Sequence, residues 1–393
     1  MKKIILILSI IAVVALLSVP ISTSVFAAQG KDESFNLDAY TSQSALLLDY
    51  DTGTVIVDKN SDEKRPIASM VKIMTLLITF DEIDAGRLSF EEKIIVSEYA
   101  AGMGGSQMFL DEGESYTVSD LIKGVTVCSA NDAATALGER ISGDIHSFVD
   151  KMNEYAKNLG MNNTVFCNAT GLPNSGEQYS TARDVSIMFS KLLSKSHYYD
   201  YSKIWMEEYK HPDGRVTELV NTNKLIRFYK NCDAGKTGYT DEAGHCLAAS
   251  AMNNGLRVVS VVLGAENSKA RFKEVTDLFN YAFANYEVKT IISKGEAIAN
   301  DLQVDKAKED SFELYVDRDL KFFSRKNVQN DYEVVIELEE NLKAPISKET
   351  PLGRVKIIKN GEVVSEANIF SVRDIEKLNY KDALEKVLKN WLF

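Results

Sequence analysis

The chain has 393 residues, 45% of them hydrophobic, and a formal net charge of -12. That length suits two ordinary domains and a sizeable core, and the acidic balance, with no basic stretch carrying interleaved aromatics, argues against a nucleic-acid partner. Four cysteines and four histidines, with no CxxC pair, make a zinc site a poor fit, and neither a metal nor another cofactor is expected.

Met1-Lys2-Lys3 is a short basic start. An apolar run from Ile4 to Ile21 follows, broken by Ser9, Ser18 and Pro20, and Val25-Phe26-Ala27 offers small residues for a cleavage point. This is the layout of a signal peptide over residues 1–27. The competing reading is a permanent anchor, since the run is near the roughly 20 residues a spanning helix needs; Pro20 and the small-residue site favour cleavage. Either way the chain is expected to be exported and to work at the outer face of the cytoplasmic membrane or in the cell wall. Export permits disulfides. Cys232 and Cys246 flank an expected hairpin and could pair, but the favoured reading is that they, with Cys128 and Cys167, are buried thiols.

Ser44 to Tyr50 and Thr54 to Lys59 read as strands joined by Asp51-Thr52-Gly53. Met70, Ile73, Met74 and Leu77 repeat at helical spacing and predict a helix near Ser69. Residues 90 to 285 mix helical and loop patterns. Within them Arg257 to Gly264 is a β-branched strand and Arg271 to Tyr286 is helical. Strands on both sides of a helical middle predict one sheet built from distant segments, an α/β (α+β) domain over residues 28–292. The pattern changes near Ser293-Lys294-Gly295. Strand candidates at Ser311 to Val316, Tyr332 to Leu338, Arg354 to Lys359 and Glu362 to Ala367, the last two joined by Asn360-Gly361, predict a small all-β domain over 293–370. In the tail, 371–393, Tyr380, Leu384, Val387, Leu388 and Trp391 share one helical face with lysines interleaved. Such a helix can lie on a membrane surface or pack back on its own domain; the membrane reading is favoured.

Three short motifs carry chemistry. Ser69-Met70-Val71-Lys72 is Ser-x-x-Lys: on a helix the two side chains lie on one face, and burial plus the positive helix end lower the lysine pKa so that it can serve as a base for the hydroxyl. Ser129-Ala130-Asn131 supplies a serine that can relay a proton and an amide that can hold a substrate. Lys236-Thr237-Gly238, leading into a strand, offers donors for an anion such as a C-terminal carboxylate, and a glycine that lets substrate backbone come close. Each motif alone is weak. In this order, after a signal peptide, they form the set of the serine penicillin-recognising enzymes.

With these motifs the chain resembles the low-molecular-mass penicillin-binding D-alanyl-D-alanine carboxypeptidases (peptidase S11) over essentially its whole mature length. Further stretches fit the same pattern: Gly104-Gly105-Ser106-Gln107-Met108-Phe109-Leu110, Asn168-Ala169-Thr170-Gly171-Leu172-Pro173, Ser180-Thr181-Ala182-Arg183-Asp184, and Lys236-Thr237-Gly238-Tyr239-Thr240 followed by Ala243-Gly244. The resemblance implies a serine β-lactamase/penicillin-binding transpeptidase-like domain, a small all-β domain and an amphipathic C-terminal helix. It implies Ser69 as acylated nucleophile, Lys72 as its base, Ser129 as relay and Asn131 as substrate orienter. Lys236 and Thr237 would bind the substrate carboxylate with help from Arg271, and the main-chain N–H groups of Ser69 and Tyr239 would form the oxyanion hole. The implied substrate is the peptidoglycan stem ending in D-Ala-D-Ala, with β-lactams as covalent inhibitors. The motif departs from the commoner pattern at Ala130, where glycine is usual, and at Tyr239, where histidine can occur.

The alternatives are distinguishable. A β-lactamase of this fold needs a deacylating glutamate after the second motif, and Glu177 is not in that local pattern. A D,D-endopeptidase relative usually lacks the β domain. A non-catalytic β-lactam-binding module would not need the full set of Ser69, Lys72, Ser129 and Lys236.

Overall fold

The computed structural model describes residues 35–173, 176–298, 300–328 and 332–384. The expected signal segment and most of the tail lie outside the described residues. The first unit is built on a five-stranded antiparallel sheet of β1 (Ser44–Asp49), β2 (Val55–Lys59), β3 (Cys232–Thr240), β4 (Gly244–Asn253) and β5 (Leu256–Ala265), in the order β2-β1-β5-β4-β3. Distant segments do form one sheet, as the sequence pattern predicts. Successive strand residues face opposite ways. Leu46 and Leu48 therefore join one core with Val259 and Val261, while Ala45 and Leu47 join another with Val258 and Val262. Both faces are covered, which is why these strands read as unbroken apolar runs rather than alternating ones.

The helical middle covers one face. Its central element, α1 (Lys72–Asp84), is buried around nearly its whole girth, as a helix apolar on all sides must be. Around it lie α2 (Val118–Val127), α3 (Asn131–Ser142), α4 (Ile145–Asn158) and α5 (Ala182–Leu193). The other face is covered by α6 (Ser268–Asn285), through Val275, Leu278 and Phe279. Strand β3 closes one edge of the sheet, so its outer side has no strand partner among the described residues.

The second unit is all-β. Tyr286–Ile292 (β6) pairs with Leu320–Arg325 (β9). Ala297–Ile298 (β7), Leu314–Val316 (β8), Glu333–Leu338 (β10), Gly353–Lys359 (β11) and Glu362–Ser371 (β12) make a sheet in the order β7-β8-β12-β11-β10. Asn360 and Gly361 both take positive φ, 53° and 84°, the geometry a two-residue hairpin demands. Where the units meet, Tyr286 stacks on Phe323 and Lys321 pairs with Asp51 at 2.9 Å. All four cysteines are free thiols, but only Cys232 and Cys246 are buried as expected; Cys128 and Cys167 are half-buried. Across β3 and β4, Cys232 faces Ala251 and Cys246 faces Gly238, so the hairpin keeps the two apart.

Candidate active site

Three segments far apart in sequence meet at the open edge of β3. The first is the turn leading into α1. Ser69 sits in a 3-10 turn, Ala68–Val71, and the α-helix begins only at Lys72. The expected one-face relation still holds: Lys72 Nζ lies 3.1 Å from Ser69 Oγ. Ala68, just before the serine, has φ 47°, a left-handed conformation costing an alanine roughly 1–2 kcal/mol. The second segment is the link between α2 and α3, where Ser129 also has positive φ, 65°. Lys236 Nζ, from β3, donates to Ser129 Oγ at 2.7 Å and to the Thr237 carbonyl at 3.0 Å. The Lys-Thr-Gly motif lies inside β3 rather than ahead of a strand.

Close approach explains two glycines. A Cβ on Gly238 would sit 2.7 Å from the Ile67 carbonyl, so the third motif touches the nucleophile turn through its missing side chain. On the other flank a Cβ on Gly171, at φ +80°, would lie 2.0 Å from the Ala68 carbonyl. Gly171 belongs to a tight turn in which Asn168 Oδ1 accepts from the N–H of Thr170 at 3.0 Å and of Gly171 at 2.6 Å. That turn aims the Thr170 carbonyl at Lys72 Nζ, 2.5 Å away.

The electrostatics are unusual. Lys72, Lys236 and Arg271 are all buried, and among the described residues none of them is in an ion pair. Burial, then the neighbouring Lys236 cation, holds Lys72 well below the usual lysine range. Burial brings Lys236 down to about 7. Arg271 is brought down to about 10, again by burial; its Nη1 donates to the carbonyls of Gly238 at 3.0 Å and Cys246 at 3.2 Å. Its head thus clamps β3 to β4 behind the motif. Asn131 donates from Nδ2 to the Gly104 carbonyl at 2.6 Å, and its buried Oδ1 has no partner among the described residues. Thr237 Oγ1 donates to Thr222 Oγ1 at 2.8 Å. The Tyr239 ring is exposed and stacks on His245, with its hydroxyl on Asp241 at 2.8 Å.

The structure therefore pairs Ser69 with Lys72 and Ser129 with Lys236, sets Gly238 against the nucleophile turn, and places Asn131 two residues after Ser129 and Thr237 next to Lys236. Arg271 stands behind the motif on the carbonyls of Gly238 and Cys246, and the Tyr239 side chain is exposed. Sequence reasoning flagged the stretch from Asn168 to Pro173 by resemblance but gave Asn168 and Thr170 no role, and it missed Thr222. The Asn-x-x-Gly spacing was a usable turn signal for the first two; Thr222 carried none.

This arrangement can activate one hydroxyl beside an amine that burial keeps from holding its proton tightly, protonate a leaving group through another, and hold an anion near buried basic groups. Residues 30–267 match the family described as D-alanyl-D-alanine carboxypeptidase, and residues 286–377 match the C-terminal domain of penicillin-binding protein 5. The chain is 38% identical to the D-alanyl-D-alanine carboxypeptidase DacF of Bacillus subtilis over 94% of each chain. It resembles the structure of penicillin-binding protein 5 from Haemophilus influenzae at 31% identity and a TM-score of 0.69, covering 86% of this chain and 98% of that one. It is also similar to penicillin-binding protein D2 of Listeria monocytogenes in its ampicillin-bound form, at 32% identity and a TM-score of 0.57, over 63% of this chain and 100% of that one. This chain belongs to the D-alanyl-D-alanine carboxypeptidase family of serine peptidases, peptidase S11.

Proposed function

We propose that the chain removes the terminal D-alanine from peptidoglycan stem peptides through an ester on Ser69. The observation that carries this is the double pairing of hydroxyl and buried lysine, Ser69 with Lys72 and Ser129 with Lys236. Lys72, driven toward the free amine, donates one N–H to Thr170 O and turns its lone pair to the Ser69 hydroxyl. As Ser69 Oγ bonds to the carbonyl carbon, its proton passes to Lys72. The C–N bond to the last D-alanine then breaks, and the proton held by Lys72 passes through the Ser129 hydroxyl to the leaving nitrogen, which restores the free amine. Lys236 as a cation, with Thr237, holds the substrate carboxylate, and Asn131 Oδ1 is free to accept from a substrate amide. Water then cleaves the ester and frees Ser69. A β-lactam acylates the same serine but keeps its leaving group tethered, so the ester persists.

The test is mass spectrometry of the purified chain with penicillin, and D-alanine release from a D-alanyl-D-alanine peptide, for wild type and Ser69→Ala. An adduct on Ser69 that is absent from the variant, together with release of D-alanine, is expected. Rapid hydrolysis of penicillin without D-alanine release would mean a β-lactamase instead.

The reading extends to location. Residues 1–27 direct export, and the helix that begins at Tyr380 rests on the outer face of the cytoplasmic membrane; the expected tail boundary at 371 moves later, because Ser371 ends a strand and Ile375 is buried in the β-unit core. Supporting this, residues 380–384 begin a helical turn whose Tyr380 and Leu384 lie one turn apart and exposed. No helix among the described residues is long and apolar enough to cross a membrane. Cell fractionation with and without 380–393, which leaves Ile375 in its core, decides: full-length protein found wholly in the soluble fraction overturns the anchor.

A further inference from the structure

We propose that Thr222 is a positioning residue for the terminal carboxylate of the substrate, acting through the Thr237 hydroxyl. The inference rests on the reading above, in which Lys236 and Thr237 hold that carboxylate. Thr222 belongs to none of the three motifs. It lies 15 residues before Thr237, on the bend between the strand Val216–Val220 and the short helix Leu225–Phe228.

That bend is fastened on every side. Thr222 stands between two buried asparagines whose amides are spent on main chain. Asn221 Nδ2 donates to the Ile204 carbonyl at 2.8 Å, and its Oδ1 accepts from the Asn223 N–H at 2.9 Å. Asn223 Oδ1 accepts from the Leu225 N–H at 3.1 Å. A Cβ on Gly235 would collide with the Asn223 amide, so this glycine lets the bend lie against β3. The Thr222 N–H donates to the Val127 carbonyl at 3.1 Å, two residues before Ser129. Thr222 is thus tied by its main chain to the segment that carries Ser129. By its side chain it is tied to the strand that carries Lys236 and Thr237. Buried polar groups committed in this way rigidify the segment they belong to.

The polarity of the hydroxyl pair gives Thr222 its role. Thr237 Oγ1 donates to Thr222 Oγ1 at 2.8 Å, which commits the one proton Thr237 has. A carboxylate only accepts. For Thr237 to donate to it, the pair must turn over, so that Thr222 donates to Thr237 and Thr237 donates to the anion. Thr222 can do this at no cost to another bond, because its hydroxyl has no second partner among the described residues. Each hydroxyl then polarises the next, which strengthens the bond that reaches the charge. Without an oxygen at 222, Thr237 loses both the bond that fixes its rotamer and this support. Weakening one hydrogen bond to a charged group in this way is expected to cost about ten-fold.

The experiment uses the full chain and an α-N-acetylated peptide ending in D-Ala-D-Ala. D-alanine release gives kcat and KM, and acylation of Ser69 by penicillin, itself a carboxylate, is measured alongside. The proteins are wild type, Thr222→Val, Thr222→Ser, Thr237→Val and the Thr222→Val, Thr237→Val double variant, each with a thermal melt. Thr222→Ala is carried through the same cycle, so that a folding defect of the valine side chain does not decide the result. Thr222→Val keeps the shape and loses the hydroxyl. It is expected to lower kcat/KM and penicillin acylation about ten-fold, with the peptide loss on KM because the carboxylate is the same in substrate and transition state. Thr222→Ser keeps the hydroxyl and is expected to stay within about two-fold of wild type. On the Thr237→Val background, Thr222→Val is expected to cost less than about two-fold more, since the group it acts through is already gone. Full activity in Thr222→Val, a serine variant as poor as the valine one, or losses that multiply in the double variant overturn the positioning role alone. No D-alanine and no penicillin adduct from wild type overturn the underlying reading, and the positioning role with it.

Discussion

Each of the two units buries an apolar core, but among the described residues only the first buries basic side chains. Lys72, Lys236 and Arg271 are withdrawn from water in the α/β unit. In the β unit, the buried polar side chains among the described residues are two serines, Ser324 and Ser371. There the lysines and arginines stay near solvent and pair across strands, as Lys356 does with Glu337 at 2.5 Å. Burying an unpaired charge costs several kcal/mol even after relaxation, so stability alone does not select it. The buried basic groups mark where the first unit gives up stability for chemistry, whereas the β unit leaves only Ser324 Oγ buried without a partner among the described residues.

The largest effects should come from that asymmetry. Lys72→Met is expected to lower acylation of Ser69 by penicillin roughly 10³-fold, the scale of a lost general base, while leaving thermal stability equal or higher because a buried amine is replaced by an apolar side chain. Lys356→Met is expected to change acylation by less than about two-fold, since a half-exposed pair is worth about 1 kcal/mol or less and lies in the other unit. Rapid-mixing acylation kinetics beside thermal melts measure both. An equal loss in the two variants would erase the distinction between the units.

The coupling between the two buried lysines predicts a smaller effect with a definite sign. The cation on Lys236 is one cause of the depressed Lys72 pKa, after burial. Acylation therefore falls as pH drops and Lys72 takes a proton. In Lys236→Met the neighbouring charge is gone, Lys72 holds its proton more tightly, and the acid limb moves to higher pH. A pH profile of penicillin acylation for both proteins checks this. A limb that stays in place, or moves toward acid, would mean that Lys72 is not the titrating base.

How much was legible beforehand follows the same division. Sheet strands on both sides of a helical middle, the Asn360-Gly361 hairpin and the three motifs are all local patterns, and the fold uses each of them. The lysine pairings with Ser69 and Ser129 follow from motif order once the resemblance is seen. What sequence could not carry is non-local main-chain geometry. The Thr170 carbonyl on Lys72 arises from a turn 98 residues away, and Thr222 meets Thr237 only because the chain returns beside β3. The placement of Ser69 in a 3-10 turn, with a strained Ala68 before it, is set by packing against Gly171 and Gly238, which no periodicity records. Arg271 stood out by resemblance alone, and its bonds to two strand carbonyls depend on how α6 lies over the sheet.

Two glycines with nearly the same backbone make the finest comparison. Gly171 has φ +80° and Gly361 has φ +84°. A side chain on either is strained by about 1 kcal/mol from φ alone. Around Gly361 nothing lies within 4 Å of an added Cβ, whereas at Gly171 the Ala68 carbonyl is 2.0 Å away. Gly361→Ala is therefore expected to lower stability by about 1 kcal/mol, with acylation of Ser69 untouched. Gly171→Ala must push the nucleophile turn aside. It is expected to cost roughly 2–3 kcal/mol and to slow acylation at least ten-fold, because Ser69 and the Thr170 carbonyl move together. Chemical denaturation and acylation rates on the same two variants separate conformational strain, which both share, from displacement of the site, which only one suffers. If Gly171→Ala proved as mild as Gly361→Ala, the contact between the Thr170 turn and the nucleophile turn would not be what positions Ser69.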